Sequence, residues 1–125
     1  MGPWQNLAKR KFTGAKTHVC RKKRKSEAGR PAIETRLGDR KLKMQRVRGG
    51  NQKVKLFYDN KVNVVDPKTK KVECVDIVRF VENPASPDFQ RRSILTKGAV
   101  IETKKGRAKI TNRPSQDGMI NATLI

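Results

Sequence analysis

Histidine occurs once in this chain, at His18, and cysteine twice, at Cys20 and Cys74. The side chains that most often build active sites and metal centres are therefore nearly absent. Neither cysteine has a second within two to four residues, so zinc-finger and zinc-ribbon spacings are unsupported. His18 and Cys20 could supply two ligands, but no remaining pair lies nearby. We expect no metal, and we read both cysteines as reduced thiols of a cytoplasmic protein. Acids are few and scattered, 11 Asp and Glu in 125 residues, and no nucleophile–base spacing is recognisable. No enzyme, small-molecule substrate or cofactor is expected. Aromatics make up 5% and apolar residues 34%, which suits a small core under a large solvated surface. No apolar run is long enough to cross a membrane, and the N-terminus lacks the apolar centre of a signal peptide. The basic segment has no regular apolar stripe of the kind a surface-lying membrane helix needs.

What the chain has in excess is positive charge. Thirty-one Lys and Arg give a formal net charge of +20, with a pI near 10.8. The excess is concentrated at one end. Residues 1–53 carry 17 Lys and Arg against three acids (Glu27, Glu34, Asp39), and residues 54–125 carry 14 against eight. The densest run is Arg21-Lys22-Lys23-Arg24-Lys25. Such a segment repels itself and buries little, so it cannot fold alone. Beside a polyanion each cation that meets a phosphate releases a condensed counterion, and the same segment becomes favourable. Solubility alone would be served better by balanced charge. A nucleic acid is the expected partner, ahead of an anionic membrane or an acidic protein.

Residues 1–41 read as a basic arm, and residues 42–125 as a small folded domain. Residues 1–16 are an extended tail without periodicity. Residues 18–28 contain helix formers closed by Gly29 and Pro31, which predicts a short helix only in the bound state. Residues 29–41 read as an irregular connector. From residue 42 the pattern is alternation broken by turns. Gly49-Gly50-Asn51, Asn60-Lys61, Asp66-Pro67-Lys68-Thr69-Lys70 and Lys104-Lys105-Gly106 each separate two strands. Residues 71–82 form a strand whose period slips near Val75, which predicts a bend or bulge there. Residues 87–95 allow one or two helical turns, residues 113–118 a loop, and residues 119–125 a last strand. The expected fold is mainly β: a small β-barrel with a basic, largely extended N-terminal arm.

The candidate RNA contacts follow from chemistry and spacing. In the arm these are Lys9, Arg10, Lys11, Lys16, Arg21, Lys22, Lys23, Arg24, Lys25 and Arg30, read as phosphate ligands. Trp4 offers a face on which an unpaired base can stack, as Phe12 and His18 do less strongly. The competing reading docks Trp4 on this protein or a neighbour. Thr13-Gly14 allows a tight turn against phosphate. In the domain, Arg46, Arg48, Gly49, Gly50, Asn51 and Lys53 form the best local signal. Alternation puts Arg46 and Arg48 on one strand face. Gly49-Gly50 exposes backbone amides, and Asn51 can bond a base edge or a 2′-hydroxyl. The competing reading is a hairpin turn with a solvated basic face.

Together these residues resemble a known family. Residues 21–31 (Arg-Lys-Lys-Arg-Lys-Ser-Glu-Ala-Gly-Arg-Pro) resemble the basic signature of archaeal and eukaryotic small-subunit ribosomal protein number eight of the e-type series. Residues 47–53 (Val-Arg-Gly-Gly-Asn-Gln-Lys) resemble its second motif, and residues 63–67, 83–84, 96–103 and 116–122 its later blocks. The chain's length resembles the archaeal members. Ala15, Lys70 and Ser115 stand where the family usually has Gly. The resemblance implies a structural protein of the small ribosomal subunit, with a compact β-barrel, a basic extension, and ribosomal RNA and neighbouring ribosomal proteins as partners. No homo-oligomer is expected. The other class of reading is a free regulatory or chaperoning RNA-binding module.

Overall fold

A computed structural model describes residues 2–5, 8–18 and 20–125. The chain divides into two compact units, Met1–Ala32 and Ile33–Ile125.

The larger unit contains a three-stranded sheet and a closed five-stranded barrel. The strands are β1 (Arg36–Leu37), β2 (Lys41–Arg46), β3 (Gln52–Asp59), β4 (Lys61–Val65), β5 (Val72–Glu82), β6 (Val100–Thr103), β7 (Gly106–Ile110) and β8 (Asn121–Leu124). Two short helices are α1 (Pro87–Arg91) and α2 (Pro114–Asp117). The sheet runs β1-β3-β2, and the barrel runs β4-β5-β6-β7-β8. Antiparallel pairs build the barrel wall, and a parallel pairing of β4 with β8 closes it. At that seam Asn63 lies opposite Asn121, and its Nδ2 donates to Asn121 Oδ1 at 3.1 Å. Alternation sends Val62 and Val64, Ile77, Ile101, Ala108 and Ile110, and Ala122 into one core. Five strands enclose little space, and alanines among the isoleucines fit it. Leu56 from β3, together with Leu95 and Ile120, completes the core.

The hairpin turns fall where turn chemistry placed them. Asp59 is buried and closes the β3–β4 turn by accepting from the amides of Asn60 (2.9 Å) and Lys61 (3.1 Å). Asp66 accepts from Lys68 N and Thr69 Oγ1, both at 2.9 Å. These bonds hold its carboxyl below the ordinary carboxylate range. In the same turn Lys70 sits at φ 57°, the left-handed conformation that glycine adopts without strain. Lys70→Gly should therefore raise the melting temperature. The strain removed is about 1–2 kcal/mol, offset in part by about 0.5–1 kcal/mol of added chain entropy. An unchanged or lower melting temperature would show that the turn carries no such strain.

Two local expectations are corrected and a third is refined. Residues 29–41 are not simply a connector: β1 pairs parallel to β3, with Arg36 opposite Tyr58, and the buried Thr35 donates to Leu56 O at 2.9 Å. A two-residue strand fixed by a distant partner leaves no local signature. The irregularity on β5 begins two residues beyond Val75, between Ile77 and Arg79, and recurs between Phe80 and Glu82. Residues 72–76 pair with β4 and residues 77–82 with β6, so the strand bends where it changes partners. The expected loop at 113–118 contains α2, which starts with Pro114 and ends at Gly118 (φ 77°). Among the described residues of 18–28 the chain alone forms one helical turn, a 3₁₀ turn at Lys25–Glu27; the helix expected there concerns the RNA-bound state.

In the smaller unit, residues 3–5 and 27–29 run side by side. Gln5 N donates to Glu27 O at 2.8 Å, Gly29 N donates to Pro3 O at 2.6 Å, and Trp4 bridges to Ala28. Residues 9–17 form a second loop, with Arg10 bridged to Lys16. Gly14 makes its tip at φ 84°, while Ala15 is not left-handed. Among the described residues no helix is long and apolar enough to cross a membrane.

Candidate nucleic-acid interface

In the unit Met1–Ala32, Lys9, Arg10, Lys11, Lys16, Arg21, Lys22, Lys23, Arg24, Lys25 and Arg30 are all exposed. Arg10 Nη1 donates to Gly14 O at 2.7 Å, which holds the tip of its loop. Arg21 pairs with Glu27. The Lys23 ammonium lies 5.4 Å from the centroid of the Trp4 ring, a cation–π contact. Trp4 keeps 37% of its surface exposed. Lys22, Arg24 and Lys25 have no carboxylate partner among the described residues. The run therefore presents a mostly unneutralised cluster beside an aromatic face.

In the larger unit the interface is the β2–β3 hairpin. Its last strand pair is Arg46 with Gln52, and Val47 N donates to Asn51 O at 2.8 Å to close the loop. Arg48–Gly50 is a single turn with Gly49 at φ 75° and Gly50 at φ 77°. Both positions favour glycine on backbone grounds. Because β2 stops at Arg46, Arg48 belongs to the turn, and the two arginines do not share a strand face.

Register sorts the rest, since residues directly opposite in a sheet share a face. Lys43 faces Lys55, and Gln45 faces Lys53. The other face carries Leu42 with Leu56, Met44 with Val54, and Arg46 with Gln52. Lys53 and Arg46 thus lie on opposite faces. Lys43 and Lys55, absent from the sequence-derived site, join Lys53 on one face. Counting outward from Gly49 at the turn would have found both.

Residues 41–55 contain six cations and no acid. Elsewhere in this unit six acids pair with cations. Glu34 pairs with Arg36 and Arg92, Asp88 with Arg91 and Arg92, Asp76 with Lys104, Glu73 with Lys105, Glu102 with Arg79, and Asp59 with Arg40. Bonds from Lys104 hold the Asp76 carboxyl below its ordinary range, and bonds from Arg92 and Arg91 do the same for Asp88. No described residue of 41–55 takes part in an ion pair. Positive potential is left uncompensated on the hairpin. Among the described residues no three His, Cys, Asp or Glu side chains gather as a metal site would require.

Like charges directly opposite on a sheet oppose folding, by about 0.2–1 kcal/mol if of the size of other cross-strand pairs. Lys43→Gln should therefore raise the melting temperature of the free protein slightly and weaken its binding to RNA. A variant that changes neither would show that Lys43 and Lys55 are independent solvated side chains.

Comparison with known proteins agrees with this geometry. The family model described as Ribosomal protein S8e matches residues 4–125. A protein named small ribosomal subunit protein eS8 from Methanococcus aeolicus is 51% identical, over 100% of this chain and 98% of its own length. Its namesake in Nanoarchaeum equitans is 50% identical over 98% of this chain and 97% of its own. That in Methanobrevibacter smithii is 47% identical over 97% of each. The match runs through the basic run, the Gly-Gly turn and every barrel strand, so the likeness is to whole proteins and not to a charged segment alone. On that ground the chain belongs to the ribosomal protein S8e family.

Proposed function

We propose that this protein is a non-catalytic structural component of the small ribosomal subunit in the cytoplasm, where it binds ribosomal RNA and contacts neighbouring ribosomal proteins. The observation that carries the reading is the sorting of charge. Six carboxylates of the larger unit are engaged by cations outside the hairpin, while six cations of residues 41–55 and most of those of residues 9–30 are left for phosphate. The basic residues of the unit Met1–Ala32 act as an arm that lies along the RNA backbone, where Lys9, Arg10, Lys11, Lys16, Arg21 to Lys25 and Arg30 meet phosphates. Trp4 supplies a stacking face already paired with a cation, which suits a base that approaches with its phosphate. The folded domain gives the arm its origin. Its hairpin adds Arg46, Arg48, Asn51 and Lys53, and the Gly49-Gly50 backbone lets RNA approach closely. Relatives named as small-subunit proteins support the assignment to that particle.

The test is retention. Small subunits carrying a tagged copy should keep it through a high-salt wash and sediment with it. A protein that binds RNA but leaves the particle in that wash would be a free regulatory or chaperoning module, and the structural reading would fail.

A further inference from the structure

A cavity of about 310 Å³ opens on the larger unit where α1 and α2 approach it. Its apolar lining includes Ile33, Phe89 on α1, Leu95, and Pro114 at the start of α2. Leu95 and Pro114 are buried and form the floor. Lys97 and Arg113 are exposed and line the same opening. Neither side chain has a carboxylate partner among the described residues. Glu34 is held by Arg36 and Arg92, and Asp88 by Arg91 and Arg92. Asp117 accepts from Asn112 Nδ2 and from Arg113 N, each at 3.0 Å.

An apolar slot with one aromatic side chain and two unpaired cations at its mouth has the chemistry that holds an unpaired base by its face and its strand by the phosphates. The volume lies at the small end of ligand cavities and suits a single planar group. Charge favours an anionic strand over an apolar side chain of another protein. We propose that this cavity receives one unstacked nucleobase of single-stranded RNA. The base lies against Phe89 and Pro114, and its flanking phosphates meet Lys97 and Arg113. The proposal rests on the RNA-binding reading above and adds a third contact region, whose cations Lys97 and Arg113 lie apart in sequence from the hairpin and from the basic residues of the arm.

The test uses the full chain with two probes: a short single-stranded oligouridylate, and a duplex RNA with the same number of phosphates. Ser115 also lines the cavity, and Ser115→Phe fills it without changing charge. Phe89→Leu keeps apolar bulk and removes the stacking face, and it carries the test should Ser115→Phe not fold. The expected result is a loss of about tenfold in single-strand affinity, the size of one lost base stack, with duplex affinity and melting temperature near wild type. Wild-type single-strand affinity in both folded variants would overturn the proposal and leave the slot to an apolar side chain of a neighbouring protein. An equal loss for both probes would also overturn it, since that would mark a general effect on RNA binding. Wild-type protein that binds duplex but not single strand rejects the slot alone. Wild-type protein that binds neither rejects the RNA-binding reading with it.

Discussion

Removal of residues 1–30 should abolish most of the RNA affinity and flatten its dependence on salt. The segment holds ten Lys and Arg against one acid, Glu27, which is already paired with Arg21. If six to ten phosphates are engaged across the protein, affinity falls by roughly 10³–10⁵ between about 50 and 200 mM salt. Without the segment the log–log slope should shrink toward the share carried by the hairpin. The truncated protein should still fold, because every member of the core cluster lies in the unit Ile33–Ile125. Circular dichroism and a salt series of binding isotherms on both proteins decide the matter. A truncated protein that folds and keeps the full slope would assign the phosphate contacts to the barrel and hairpin instead.

The second large effect belongs to the Arg-Gly-Gly-Asn turn. Arg48→Ala should weaken RNA binding by about 1.5–3 kcal/mol, the range for a hydrogen bond to a charged group, without lowering stability, because Arg48 is exposed and makes no ion pair. Gly50 needs a more careful variant. At φ 77° any side chain other than glycine is strained, although a Cβ there would meet nothing within 4 Å. Gly50→Val would therefore cost stability even in a plain hairpin turn. Gly50→Asn tolerates the left-handed conformation better and isolates the effect of added bulk. If RNA packs on the Gly49-Gly50 backbone, Gly50→Asn keeps the melting temperature and loses affinity. Wild-type affinity in both Gly50→Asn and Arg48→Ala would reduce the motif to a turn with a solvated basic face.

Much of the fold was legible because its determinants are local. Asp66-Pro67, Asn60-Lys61 and Lys104-Lys105-Gly106 turn the chain in the structure as turn chemistry predicts. The strands that alternation predicts bury Val62 and Val64, and Ala108 and Ile110, in the core. What stayed illegible was non-local. Nothing near Arg36 announces a strand, because β1 exists only through its pairing with β3. α2 does carry local signals, since Pro114 and Gly118 are a helix start and stop, but they stand only four residues apart. At the interface, residue type alone singled out Arg46, Arg48 and Lys53, yet the register separates them and adds Lys43 and Lys55.

The sequence by itself determined the sign and place of the charge, the all-β pattern, the turns and the family, because each is written in adjacent residues or in blocks that can be matched one by one. Tertiary structure alone decided the strand register, the bend of β5, the closure of the barrel through Asn63 and Asn121, and the cavity between Phe89 and Pro114. These depend on which of several compatible pairings fills a small core without voids. That choice is made by packing between segments far apart in the chain.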